Sequence, residues 1–120
     1  MNDCIFCKIV DKDIPAKIIY EDDLVMAYLD ISPIEVGHTL IIPKTHYTDL
    51  DDISEEAINH IMKTAKIIKK RIEEKLNPDG IKLVQNNGSL QEVKHFHLHI
   101  IPHYNDKKEL NLDEVFELLK

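Results

Sequence analysis

Between Ser54 and Leu76 apolar side chains recur three or four positions apart. Ile58, Ile61, Met62, Ala65, Ile68, Ile72 and Leu76 fall on one stripe of a helical wheel, which predicts a helix over 54–76. Ser54 suits its N-cap, Glu55, Glu56 and Lys75 suit its dipole, and Asn77-Pro78-Asp79-Gly80 ends it. Elsewhere the pattern has a different period. Lys17 to Tyr20 and Leu24 to Asp30 are β-compatible runs joined by the turn-prone Glu21-Asp22-Asp23, which reads as a hairpin. Gly37 to Ile42 supplies a third strand stopped by Pro43, Ile81 to Gln85 a fourth, and Lys94 to Ile101 a fifth ended by Pro102. Asn111, with Glu114 three residues on, caps a short C-terminal helix carrying Leu112, Val115, Phe116 and Leu119.

Strands on either side of one long helix indicate the α+β class, an antiparallel sheet of about five strands with helices packed on it. A single parallel crossover through the long helix is the second arrangement compatible with this order. The chain has 120 residues, 43% of them hydrophobic and 31% charged, enough for one closed domain and too apolar for a disordered tail. The longest apolar run, Leu24 to Leu29, is far short of the roughly 20 residues of a membrane helix, so no membrane partner is expected. Met1-Asn2-Asp3-Cys4 lacks the order of a secretory signal, and a cytoplasmic location is expected. A formal charge of −7 disfavours nucleic acid. Lys66, Lys69, Lys70, Arg71 and Lys75 alternate with Glu73 and Glu74 at helical spacing and read as a solvated face.

Two features exceed what the fold needs. Four of the seven histidines lie between His95 and His103, and both cysteines fall within the first seven residues. A Cys4–Cys7 disulfide would close a very small loop in a reducing compartment, so metal or redox chemistry suits the pair better. In His95-Phe96-His97-Leu98-His99-Ile100-Ile101 imidazoles alternate with apolar side chains. On a strand this sets three rings in a row on one face, roughly 6.5 Å apart, with the apolar face buried. Polar surface, two rings sharing a metal ion, and a set of separate tasks along an extended substrate all fit such a row. For the third, a phosphate has the matching shape and charge, and neutral imidazole is a competent nucleophile near its pKa of about 6.5.

That run resembles the signature of the histidine triad superfamily. Cys4-Ile5-Phe6-Cys7-Lys8-Ile9, Tyr20-Glu21-Asp22-Asp23, Asp30-Ile31-Ser32-Pro33, Gly37-His38-Thr39-Leu40, Ile42-Pro43-Lys44-Thr45-His46 and Gln91-Glu92-Val93 extend the likeness, in the order of its Hint branch. The resemblance covers about residues 4 to 104. It implies a domain over 1–104, with 105–120 a tail belonging to the same domain or to a dimer interface. It further implies a purine nucleoside phosphoramidase acting on AMP or GMP conjugates, with a dinucleoside polyphosphate hydrolase or a regulatory nucleotide-binding module as alternatives.

Carried residue by residue, the likeness makes His97 the nucleophile, forming a nucleotidyl-histidine intermediate. His99 becomes a donor to a phosphate oxygen, and His38 a supporting histidine. Asp30 is implied at the ribose, Asn86, Gln91 and Glu92 at the phosphate and leaving-group side, and Phe6, Ile9, Tyr28 and Ile31 around the purine. Cys4, Cys7, His46 and His95 match the ligands of a structural zinc that takes no part in the chemistry, and a homodimer is implied. Leu90 stands where relatives usually have glycine, in a shortened loop, and Glu92 where many have a hydroxyl, which leaves the leaving group open.

Overall fold

The structure is a computed structural model describing residues 4–120; residues 1–3, on which the reading of the chain's start rests in part, lie outside it. In chain order it comprises α1 (Ile5–Val10), β1 (Ile18–Glu21), β2 (Val25–Leu29), β3 (Thr39–Pro43), α2 (Glu55–Leu76), β4 (Gly80–Gln85), a single 3-10 turn (Gly88–Leu90), β5 (Leu98–His103) and α3 (Leu112–Leu119). The five strands form one sheet in the order β1-β2-β3-β5-β4, and each neighbouring pair is antiparallel. Because β5 is antiparallel to both β3 and β4, those two run parallel, and α2 is the crossover between them. Both topologies anticipated from the pattern are therefore present at once, as a split βαβ unit with β5 slotted into its gap.

Alternation along the central strands sorts side chains to two faces. Val25, Ala27 and Leu29 of β2, Ile41 of β3 and Leu98 and Ile100 of β5 pack under Ile61, Ala65, Ile68, Ile72 and Leu76 of α2, joined by Val115 and Leu119 of α3. The opposite face, Met26, Tyr28, Leu40 and Ile42, is covered by Phe6 and Ile9 of α1. Burial on both faces explains why β2 reads as a continuous apolar run rather than an alternating one. Arg71 anchors the C-terminal helix, its Nη1 donating to Ile19 O at 2.7 Å and Leu119 O at 2.8 Å. Met62, part of the predicted stripe, lies at its margin and is 44% exposed.

Three local expectations are corrected. The sequence pattern holds no sign of α1, whose six residues are too few for a periodicity; the Cys4 sulfur caps it by accepting from Cys7 N at 3.2 Å. Pro43 lies inside β3 and Pro102 inside β5, each at a position where the strand is not held through its own N–H. The fifth strand starts at Leu98, not Lys94, because both flanking ladders end there, at Ile41↔Leu98 and Gln85↔Leu98.

Candidate active site and the Cys-His cluster beside it

With the ladder ending at Leu98, residues 95–97 are held by other bonds. Phe96 N donates to Tyr47 O at 2.7 Å, and the backbone carbonyl of His95 turns to accept from the His97 ring. The histidines are therefore not an exposed row. His95 is fully buried, His97 is 5% exposed, and α1 lies over both, with the Phe6 ring edge-on to His97 at 5.0 Å and to His95 at 5.9 Å. His95 leaves the row altogether. The rings that stay together are His97 and His99, 4.8 Å apart between centroids, and His38, the residue before β3, 5.2 Å from His99.

Backbone groups dictate how each ring carries its proton. His97 Nδ1 lies 2.8 Å from His95 O, an acceptor only, so Nδ1 is protonated and Nε2 holds the free lone pair. The amide of Ile34 donates to His38 Nδ1 at 3.1 Å, which puts the His38 proton on Nε2. That proton points at His99 Nδ1, 3.0 Å away, so neutral His99 carries its own proton on Nε2. One backbone amide thus fixes two tautomers in series. Asp30 Oδ2 stands 3.7 Å from His38 Nε2, and Asp30 Oδ1 accepts from Ser32 N at 2.8 Å.

Burial keeps these rings neutral. It lowers the pKa of His38 below the usual imidazole value against the opposing pull of Asp30. It lowers His97 too, against its bond to His95 O and the charges of Glu92 and Asp30. His99 is pushed down to about 4 by burial and by the neighbouring His97 and His38. Asp30, His38 and His99 bring their donor atoms within 4.8 Å of one another. An ion there would need the His38 Nε2 lone pair, yet the Ile34 amide obliges Nε2 to keep its proton, so these groups form a hydrogen-bond relay and not a metal site.

Two cavities meet at the histidines. Cross-strand register sets Tyr28, Leu40, His99 and Val84 in one row across β2, β3, β5 and β4. Over the β2–β3 half lies an apolar cavity of about 230 Å³, lined by Phe6, Ile9, Tyr28, Leu40 and Ile31 among others. Over the β4 half lies a more polar cavity of about 300 Å³, lined by Ser32, Ile34, His38, Val84, Asn86 and Leu90 among others. Asp30, Glu92, His97 and His99 line both. An apolar chamber joined to a polar one through a neutral imidazole with a free lone pair and a fixed N–H donor suits a flat apolar ring system linked to a phosphate.

Beside this site Cys4, Cys7, His46 and His95 bring their ligand atoms within 4.8 Å of one another. His95 Nδ1 lies 3.3 Å from Cys4 Sγ and 3.4 Å from Cys7 Sγ, and His46 Nδ1 lies 3.2 Å from Cys7 Sγ. Tetrahedral zinc, with bonds of about 2.3 Å to sulfur and about 2.0 Å to nitrogen, separates its ligand atoms by roughly 3.5 Å. The donor set fits zinc. His95 Nε2 donates to Pro43 O at 2.8 Å, which turns the Nδ1 lone pair toward the thiols, the outer bond a ligating histidine needs.

The structure gathers His97, His99, His38, Asp30, Asn86, Glu92, Phe6, Ile9, Tyr28 and Ile31 around the joined cavities. Gln91 is not among the side chains lining either one. It is buried, its Nε2 donates to Thr48 O at 2.6 Å, and it braces the loop from behind. Ile34 N, Pro43 O and His95 O set the tautomers but are backbone atoms, and no residue type announces them. Val84 and Ile101 reach the polar cavity only through the pairing of β4 with β5.

The HIT domain family model matches residues 11–106. A HIT-like protein of Methanocaldococcus jannaschii is 43% identical over 130 residues, covering 98% of either chain. An adenosine 5′-monophosphoramidase of Schizosaccharomyces pombe is 40% identical over 91% of this chain and 80% of its own. An adenylylsulfatase of Arabidopsis thaliana is 38% identical over 84% of this chain and 52% of its own. Among solved structures, a zinc-bound histidine triad family protein from Mycobacterium smegmatis superposes with a TM-score of 0.90 at 38% identity, over 98% of this chain and 90% of its own.

Proposed function

The chain belongs to the HIT family, and from that premise we propose that it hydrolyses purine nucleoside 5′-phosphoramidates or related nucleotidyl conjugates, releasing the nucleoside monophosphate. The observation that carries this reading is the His97 Nδ1 bond to His95 O, which leaves Nε2 unprotonated on a ring that lines both cavities. His97 Nε2 attacks the α-phosphorus. A P–N bond to the ring forms as the bond to the leaving nitrogen breaks, its electron pair departs with that nitrogen, and solvent supplies the proton that completes the amine. Water then attacks the same phosphorus. An O–P bond forms, the P–Nε2 bond breaks with its electrons returning to the ring, and the water proton passes to solvent. His99 Nε2–H donates to a nonbridging oxygen throughout, where charge grows in each transition state. Asp30 accepts from the ribose hydroxyls, Asn86 contacts the phosphate, and Phe6, Ile9, Tyr28 and Ile31 hold the base.

Cys4, Cys7, His46 and His95 would hold a zinc ion whose contribution is a closed structural cross-link tying α1 to the segment before β5. His95 then serves the fold and leaves catalysis to His97, His99 and His38. The protein is proposed to act as a homodimer, to which β4 offers its outer edge, unpaired among the described residues.

The test is a rapid quench of the enzyme with adenosine 5′-phosphoramidate, followed by mass spectrometry. An adenylyl adduct on His97 is expected, and His97→Ala should abolish turnover while retaining AMP binding. Turnover with no adduct, or an adduct on another residue, refutes the mechanism. Equal nucleotide affinity with no turnover in the unaltered protein favours a binding module.

A further inference from the structure

Neither cavity beside the histidines is lined by a lysine or an arginine among the described residues. The charged side chains that line them are the two carboxylates, Asp30 and Glu92, next to rings that burial keeps neutral. Asp30 is tied to the Ser32 amide and faces His38. Glu92 is exposed, and it lines the apolar cavity, the polar cavity and a third space of about 530 Å³ beyond them toward His46 and Thr48. Lys94 lines only that third space, and its Nζ donates to Gly88 O at 2.5 Å. A polyphosphate or sulfate departing through the polar chamber would therefore meet a carboxylate with no cation to offset it. An amine carrying a second positive charge would meet its counter-ion.

We propose that Glu92 is a specificity residue that favours leaving groups bearing a positive charge near the scissile bond and disfavours anionic ones. This rests on the nucleotidyl hydrolase reading above and narrows its substrate class to conjugates of cationic amines. The α-phosphate carries a single negative charge, which the His99 N–H accommodates; each further negative charge on the leaving side has no such donor.

Three adenosine 5′-phosphoramidates with leaving groups of matched length test it: one ending in an ammonium, one in a methyl group and one in a carboxylate, with adenylyl sulfate as a fourth substrate. Across about 6 Å, the exposure of Glu92 argues for an effective dielectric nearer that of water, so each step in charge should change kcat/KM by about threefold to tenfold. The expected order is ammonium, methyl, carboxylate. Because each ratio is taken within one protein, a change in overall turnover cancels. Glu92→Gln should flatten the series, Glu92→Lys should invert it, Glu92→Asp should keep it, and salt should compress it in the unaltered protein. A flat series in the unaltered protein, or one that Glu92→Gln leaves intact, overturns the proposal while the activity stands. Absence of turnover on all four substrates overturns both.

Discussion

What a neutral histidine can do, attack or donate, depends on which nitrogen carries its proton, and here that choice belongs to atoms outside the rings. His99 presents Nε2–H because His38 faces its Nδ1, and His38 does so because the Ile34 amide occupies its other nitrogen. His38→Ala should leave the His99 tautomer unfixed and lower kcat about tenfold or more, with little change in the KM for the nucleotide, measured by steady-state kinetics on the adenosine phosphoramidate. The depressed pKa of His99 also has a direction. Between about 4 and the ordinary imidazole value near 6.5, the unfolded chain takes up a proton that the folded one refuses. Stability should be full above that window and fall as pH drops through it, with the acid limb of kcat/KM in the same window; urea titrations and rate profiles from pH 4 to 8 check both. A rise in stability toward pH 5 would contradict this. Gly37, just before His38, has φ +91°, and a Cβ there would lie 2.7 Å from Leu76 Cδ1. Gly37→Ala should therefore lower the melting temperature and kcat together.

At the scale of elements, α1 does the most for its length. Its six residues cover the sheet face that carries the histidines and place Phe6 against His97, and with its N-cap Cys4 it brings both cysteines to His46 and His95. A helix of that size has little stability of its own, so it depends on its tertiary contacts. Chelation or Cys4→Ala should accordingly lower the melting temperature more than it lowers kcat at a permissive temperature, read by calorimetry alongside turnover. Loss of turnover at unchanged stability would refute a structural role. The hairpin of β1 and β2 is secured differently. Burial raises the Asp22 carboxyl, but the His60 ring, the Leu24 amide, the Tyr20 hydroxyl and the Val25 amide together outweigh it and hold it well below the usual carboxylate range. This tie between hairpin and α2 is complete above the ordinary carboxylate pKa of about 3.9 and weakens as pH falls through and below it.

For the whole molecule, the decisive event is the insertion of β5 between β3 and β4, which puts residues 40, 99 and 84 into one row and sets the His99 ring 5.2 Å from that of His38. The amphipathic stripe of α2, the capping box of α3 and the turn-punctuated strands were legible in the chain, because each is a local pattern whose period reports burial. The match to the histidine-rich and cysteine-bearing motifs likewise pointed to the family and to the side chains now gathered at the two cavities. The short α1, the early end of the ladder at Leu98, the Pro43 carbonyl that orients His95 and the withdrawal of Gln91 from the cavities were not legible. Each depends on partners distant in sequence, among them Tyr47, Pro43 and Thr48. Residue identities alone determined which chemistry is available: imidazoles, thiols and carboxylates. Only the tertiary structure decided which nitrogen of each ring carries its proton, because that choice is set by hydrogen-bond partners, the His95 carbonyl, the Ile34 amide and the His38 ring, whose positions the folded backbone fixes.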